Sequence, residues 1–196
     1  MVTSELIAIA GGAASGKDKA GSIFENLLGF THVSVSSELR KYIADNNLGL
    51  PDRETMTRIA SQLRLEKSAS FLVDHCLANH SEVEKLALSG IYAPAEAHRV
   101  KNVGGIVMVV VCDDPLVRYA RYLERQEAMP RPESLSFADF MRANARENSG
   151  SPGQQDIDGI RAMADIVISN EGTVEEFAEQ IYSTYQALRI AEVGHV

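Results

Sequence analysis

Apolar residues in this chain come in short continuous runs, separated by longer stretches in which they recur at helical spacing. Leu6-Ile7-Ala8-Ile9-Ala10 is the first run, and its continuity predicts a strand buried on both faces, as in a parallel sheet. Ala20, Ile23, Phe24, Leu27 and Leu28 then repeat every three or four positions and stop at Gly29, predicting an amphipathic helix. Thr31 to Val35 reads as a second strand, followed by a helix capped around Ser36-Ser37-Glu38 that runs to about Asn47 and is broken by Leu48-Gly49-Leu50-Pro51. Asp52 predicts the N-cap of one long helical region reaching about Asn79. Lys85 to Ser89 is a weaker third strand, and Pro94 opens a short helix. Ile106 to Cys112 is the strongest strand signal, Ile166 to Ser169 the last strand, and Val174 to Leu188 a closing helix before ends that fray from about Ala191. The alternation of strand and helix predicts an α/β fold on a parallel sheet.

The turn between the first strand and the first helix carries the chemistry. Gly11-Gly12-Ala13-Ala14-Ser15-Gly16-Lys17-Asp18 has the spacing of a phosphate-binding loop except at its last residue, where Ser or Thr is usual. Glycines let the backbone approach phosphate oxygens, and the loop N–H groups with the helix N-terminus favour an anion. Lys17 would reach the outer phosphates as a point charge. Asp18 puts a carboxylate beside them. At about 4 Å and an effective dielectric near 20 this repulsion costs on the order of 4 kcal/mol unless a cation lies between. Lys17, Lys19 or Mg²⁺ would supply that screening.

Composition bounds the answer without sharpening it. The chain has 196 residues, enough for one substantial core, and 45% hydrophobic with 23% charged residues reads as globular. A net charge of −8 argues against general binding to nucleic acid or anionic membrane. Cys76 and Cys112 lack metal-ligand spacing and read as buried thiols of a reducing compartment. With no signal-like N-terminus and no apolar stretch of spanning length, the expected location is the cytoplasm. The five histidines show no metal spacing and read as surface or core residues. Oligomeric state, monomer or homodimer, stays open.

One segment differs in character. Between Asp113 and Gly150 lie Arg118, Arg121, Arg125, Arg131, Arg142 and Arg146, whereas the last lysine of the chain is Lys101. Arg118, Arg121 and Arg125 share one helical face, as do Arg142 and Arg146, and Met129-Pro130-Arg131-Pro132 between them reads as a loop or hinge. Arginine's planar fork suits phosphate oxygens. A solvated face paired with Glu124, Glu127, Glu133 and Glu147 is the plainer reading. The position directly after the strongest strand favours a closing lid that excludes water from a phosphoryl transfer.

From about Leu6 to Tyr185 the chain resembles the nucleoside monophosphate kinase-like group of P-loop phosphotransferases, closest to adenylate/cytidylate kinase-like and dephospho-CoA kinase-like proteins. Beyond the loop, the resemblance is carried by the order and spacing of several segments. They are Val33-Ser34-Val35-Ser36-Ser37-Glu38-Leu39-Arg40, Ile59-Ala60-Ser61-Gln62-Leu63-Arg64 and Ser89-Gly90-Ile91-Tyr92-Ala93-Pro94-Ala95-Glu96 in the first half. Val111-Cys112-Asp113-Asp114-Pro115-Leu116-Val117-Arg118 and the stretch from Ala164 to Thr173, which contains Asn170, follow in the second. The resemblance implies a single domain over residues 1–196, with a three-layer α/β/α P-loop fold, a five-stranded parallel sheet and a helical lid insertion. It implies an acceptor-binding region at about 36–80 and the lid at about 115–150. It implies ATP and Mg²⁺, with Gly11, Gly12, Ala13, Ala14, Ser15, Gly16, Lys17, Asp18, Lys19 and Asn170 around the nucleotide. Arg40 and Arg64 would hold a phosphorylated small-molecule acceptor. Lys17, Arg118, Arg125 and Arg146 would neutralise charge developing in transfer.

Four positions depart from the family pattern: Asp18 for Ser or Thr, Ser37 and Ser89 where acids are usual, and Tyr92 where Arg is usual. Two accounts follow. In a rewired site Asp18 ligates Mg²⁺ directly, with Asp113 or Glu38 adding a carboxylate. In a site that binds nucleotide without transfer, Asp18 is a first-turn acid favoured by the helix dipole.

Overall fold

The computed structural model describes residues 3–128, 135–146 and 155–193. Five parallel strands form one sheet in the order β2-β3-β1-β4-β5: β1 Glu5–Ala10, β2 Thr31–Ser34, β3 Lys85–Ile91, β4 Ile106–Val111 and β5 Ile166–Ser169. The helices are α1 Lys17–Leu28, α2 Val35–Asp45, α3 Arg53–Glu66, α4 Phe71–Asn79, α5 Pro94–Asn102, α6 Pro115–Ala128, α7 Phe137–Arg146, α8 Ile157–Ala162 and α9 Val174–Val193. No described helix is long and apolar enough to cross a membrane.

The pleat of β1 shows why the sheet is covered on both faces. Leu6, Ala8 and Ala10 enter one core with residues of α2, α3, α4, α5 and α8, and Ile7 and Ile9 enter the other with α1 and α9. The second core contains Phe24, Phe30 and Tyr185 packed edge to face, with centroids 5.2 to 5.7 Å apart. This is the three-layer α/β/α arrangement that the resemblance implied.

The single helix expected from Asp52 to Asn79 is two. Asp52 does cap it, accepting from the Thr55 N–H at 2.8 Å, but α3 ends at Glu66 and α4 begins at Phe71. The buried sets explain the break. Ile59, Ala60 and Leu63 would point roughly opposite to Leu72, Val73 and Cys76 on one continuous helix, so the chain must turn to bury both. Smaller shifts occur at ends: Val35 starts α2 rather than finishing β2, β3 runs on to Ile91, and α9 reaches Val193.

Candidate active site

Between β1 and α1 the loop folds tightly over the carboxyl edge of the sheet. Gly16 caps α1 with φ 105°, a left-handed conformation, and as a glycine it offers no side-chain cap to the helix. A Cβ on Gly16 would collide with the amide of Asn170, which donates from Nδ2 to the Ser15 carbonyl at 2.8 Å. Asn170 is held in turn by Arg121 of α6, whose Nη1 donates to the Asn170 carbonyl at 2.8 Å. Ala14 is also left-handed at φ 58°, and the Ser15 N–H closes a tight turn onto the Gly12 carbonyl at 3.2 Å. Ser15 is 1% exposed, yet its hydroxyl has no hydrogen-bond partner. A buried orphan hydroxyl in such a loop fits a ligand that supplies acceptor oxygens.

Lys17 and Asp18 leave the loop in different environments. Lys17 is buried, with its Nζ 5.6 Å from the centre of the Tyr92 ring and its stem beside Gly90 at the end of β3. Tyr92, where the family pattern has Arg, thus gives the lysine an aromatic face. Asp18 keeps an open face to solvent, while its Oδ1 accepts from the Ser89 hydroxyl at 2.8 Å. The Ser89 Oγ also lies 2.9 Å from His32 Nε2. Burial raises the Asp18 pKa, but Lys17, the Ser89 hydroxyl, His32 and Arg125 together outweigh it and hold the carboxyl below its ordinary value. Burial pulls the His32 imidazole below its ordinary value, against the opposing charges of Asp18 and Glu25.

Next to the loop a cavity of ≈ 320 Å³ opens over the end of β4. Gly12 and Ser15 form its floor, Cys112, Asp113 and Arg118 one side, and residues of α7 and α8 the rest. Asn144 of α7, and Asp158 and Arg161 of α8, bring polar groups into this wall. Both amide atoms of Asn144 and the Nε of Arg118 are buried without a hydrogen-bond partner, like Ser15 Oγ. The Arg118 guanidinium sits 6.0 Å above the Phe140 ring. A concave space of this size lined by polar residues with unpartnered atoms is a candidate small-molecule site.

The expected site residues divide. Gly11, Gly12, Ala13, Ala14, Ser15, Gly16, Lys17 and Asp18 form the loop, Asn170 buttresses it, and Lys19 is exposed on α1. Arg118 and Asp113 line the cavity. Arg125 is exposed on α6, close enough for its charge to favour ionised Asp18. The side chain of Arg146 and the hinge at 129–132 lie outside the described residues. Arg40 and Arg64 are not among the cavity's lining residues. Arg64 is buried, donating from Nε to Glu96 Oε1 at 2.8 Å, while Glu96 Oε2 accepts from the Tyr92 and Ala93 N–H groups at 2.7 and 3.1 Å. Ser37 is exposed, and Glu38 turns to Asn79 and His80 rather than to the loop.

Sequence reasoning missed Asn144, Asp158, Arg161 and His32, and gave Arg121 no role. Met141, Asn144 and Ala145 do sit at one-face spacing, but spacing alone does not say which face meets the loop.

No family model matches the chain. It is 25% identical over 174 residues to a UPF0200 protein of Sulfurisphaera tokodaii, covering 88% of this chain and 91% of that one. Among solved structures, a shikimate kinase from Bacteroides thetaiotaomicron superposes with a TM-score of 0.60 at 15% identity, covering 93% of this chain and 98% of that chain. A gluconokinase from Sinorhizobium meliloti 1021 gives 0.60 at 10% identity, with 98% and 97% covered. The fold is therefore that of the P-loop kinases.

Proposed function

We propose that the chain is a small-molecule kinase that moves the γ-phosphoryl group of ATP to a phosphorylated, nucleotide-like acceptor of the nucleoside monophosphate or dephospho-CoA type. The observation that carries this reading is a cavity beside the phosphate loop lined by Ser15, Arg118 and Asn144, three residues that each hold a buried polar atom with no protein partner. The N-terminus of α1, whose cap residue Gly16 offers no side chain, suits the donor phosphates. Lys17, buried beside the Tyr92 ring, would reach the outer phosphates. Arg118 and Arg161 line the cavity, and on this reading they, with Arg125 and Arg146, would neutralise the charge that builds during transfer. The helices at about 36–80, with Arg40, shape the acceptor side, and Arg64 supports it by fixing the β3–α5 turn through Glu96.

Mg²⁺ suits the residues present. Among the described residues no three His, Cys, Asp or Glu side chains gather into a self-sufficient metal site. Magnesium needs no such cage, because it takes one or two protein oxygens together with phosphates and water. Asp18, ionised and open to solvent, is such a donor, and Asp113 lies on the cavity wall. Held by Asp18, with Asp113 near, the metal would supply positive charge against that of the outer phosphates. Its cationic charge would also remove the repulsion between Asp18 and the nucleotide.

The test is ATP turnover against a panel of nucleoside monophosphates and dephospho-CoA, extended to hydroxylated acids such as shikimate and gluconate. Transfer to one acceptor is expected, falling about 10²–10³-fold in Lys17→Ala. Nucleotide binding with no transfer and no acceptor-stimulated hydrolysis would favour a second reading, a kinase-like nucleotide sensor in the cytoplasm. That reading draws on Asp18, whose Oδ1 is already engaged by Ser89.

A further inference from the structure

In phosphate-loop enzymes the metal is generally held by a hydroxyl from the loop and a carboxylate from a neighbouring strand. This chain has both groups, hydrogen-bonded to each other at 2.8 Å, but the carboxylate is on the loop at Asp18 and the hydroxyl on β3 at Ser89. Taken singly, each substitution looks like a loss. Taken together, they conserve one hydroxyl, one carboxylate and one negative charge.

The third member of the chain is His32. The Ser89 hydroxyl has one proton and gives it to Asp18, so the short contact to His32 requires an N–H donated from Nε2 to Ser89 Oγ. That fixes the direction of the relay: His32 to Ser89 to Asp18. The sequence accommodates it at a cost. Gly21 lies inside α1, where glycine is less favourable than alanine by about 1 kcal/mol, and a Cβ there would collide with the His32 ring. Ser89 is fully buried and paired in register with Ser34 of β2 and Ile9 of β1, so its hydroxyl has little freedom.

We propose that Asp18 and Ser89 are the metal-holding pair of this site with carboxylate and hydroxyl exchanged between loop and strand, and that His32 is a positioning residue that orients Asp18 through Ser89. The proposal rests on the kinase reading insofar as it needs a metal–nucleotide complex. Asp18 supplies the charged oxygen, Ser89 the neutral one, and His32 fills a lone pair of Ser89 so that the hydroxyl proton points at the carboxylate. An outer-shell donor of this kind typically changes metal affinity by about 10–100-fold.

Calorimetric titration of ATP, with and without Mg²⁺, separates the possibilities. Wild type should bind ATP more tightly with Mg²⁺. Asp18→Ser should lose that metal-dependent gain, and the double exchange Asp18→Ser with Ser89→Asp should restore it. His32→Leu and Ser89→Ala should each reduce the gain about tenfold, and His32→Gln, which keeps an N–H donor, should retain most of it. Thermal melting checks each variant's fold; should those at buried Ser89 or half-buried His32 fail to fold, solvent-facing Asp18→Ser still decides the exchange. An Asp18→Ser protein that binds ATP better by the same factor with and without Mg²⁺ would overturn the exchange while leaving the kinase reading intact. Equal gains in His32→Leu and wild type would overturn the role of His32. Absence of ATP binding in wild type under both conditions would bring down the kinase reading and the exchange with it.

Discussion

Two walls of the same cleft are built on opposite terms. On the loop side most polar side chains described have a protein partner, Asp18 with Ser89, Asn170 with Ser15 and Arg121, and Glu96 with Arg64 and two backbone N–H groups, the Ser15 hydroxyl being the exception. On the facing wall, made by α6, α7 and α8, Arg118 Nε and both amide atoms of Asn144 are buried and unpartnered. The first wall spends its hydrogen bonds on its own geometry. The second leaves them unmade, at a cost of about 1–3 kcal/mol for a buried group, which a ligand offering polar atoms would offset. Preorganisation and recognition are thus divided between two surfaces rather than mixed in one.

The sharpest test of this division removes a partner on the loop side. Glu96→Ala would strand the Arg64 guanidinium in a buried site and free the turn that carries Tyr92 beneath Lys17. Breaking a buried ion pair by deleting one member costs about 3–5 kcal/mol, and urea unfolding should show a loss of that size. Exchanging the pair for two apolar residues of similar volume should cost far less, because no charge is left unpaired. A Glu96→Ala protein as stable as wild type would mean that the loop wall is not held by its polar contacts.

The matching experiment on the facing wall predicts the opposite balance. Asn144→Ala removes a buried amide with no protein partner, so stability should hold or rise, by up to about 1–3 kcal/mol, and kcat/KM should fall about tenfold if the amide contacts the transition state. A loss of stability comparable to that of Glu96→Ala would erase the distinction between the walls.

The same division accounts for what could be read from the chain. The loop and the strands were visible because their signals are local: Gly11, Gly16 and Lys17 lie within one turn, and the strands are continuous apolar runs. The relay was not visible. Ser89 lies 71 positions from Asp18 and 57 from His32, and only the β2–β3–β1 register brings the three together. Asp18 and Ser89 were both noticed as departures from a pattern, but as separate losses, since a sequence does not show that they touch. Arg64 illustrates the converse. Its position in a family-like segment suggested an acceptor ligand, whereas burial against Glu96 gives its Nε a structural partner that no spacing rule foretells. The break between α3 and α4 was overlooked because each half has good helical periodicity, and the change of phase is apparent only once the cores are known.

The smallest effect expected is chemical rather than energetic, and it uses one thiol from each kind of environment. Cys76 is fully buried in the core beneath α2 to α5, where burial first, then Glu38 and Glu96, pushes its pKa up to about 12. At pH 8 roughly one molecule in 10⁴ would carry the reactive thiolate, so a disulfide-exchange reagent should leave Cys76 untouched until the protein unfolds. Cys112 is also raised, chiefly by burial, although Arg121 and Arg118 pull the other way, and unlike Cys76 it lines the cavity. It should react slowly in the folded protein, and ATP should slow it further. Modification of Cys112 at the same rate with and without saturating ATP would place the bound nucleotide away from this cavity. The unpartnered atoms of Arg118 and Asn144 would then require a ligand other than ATP.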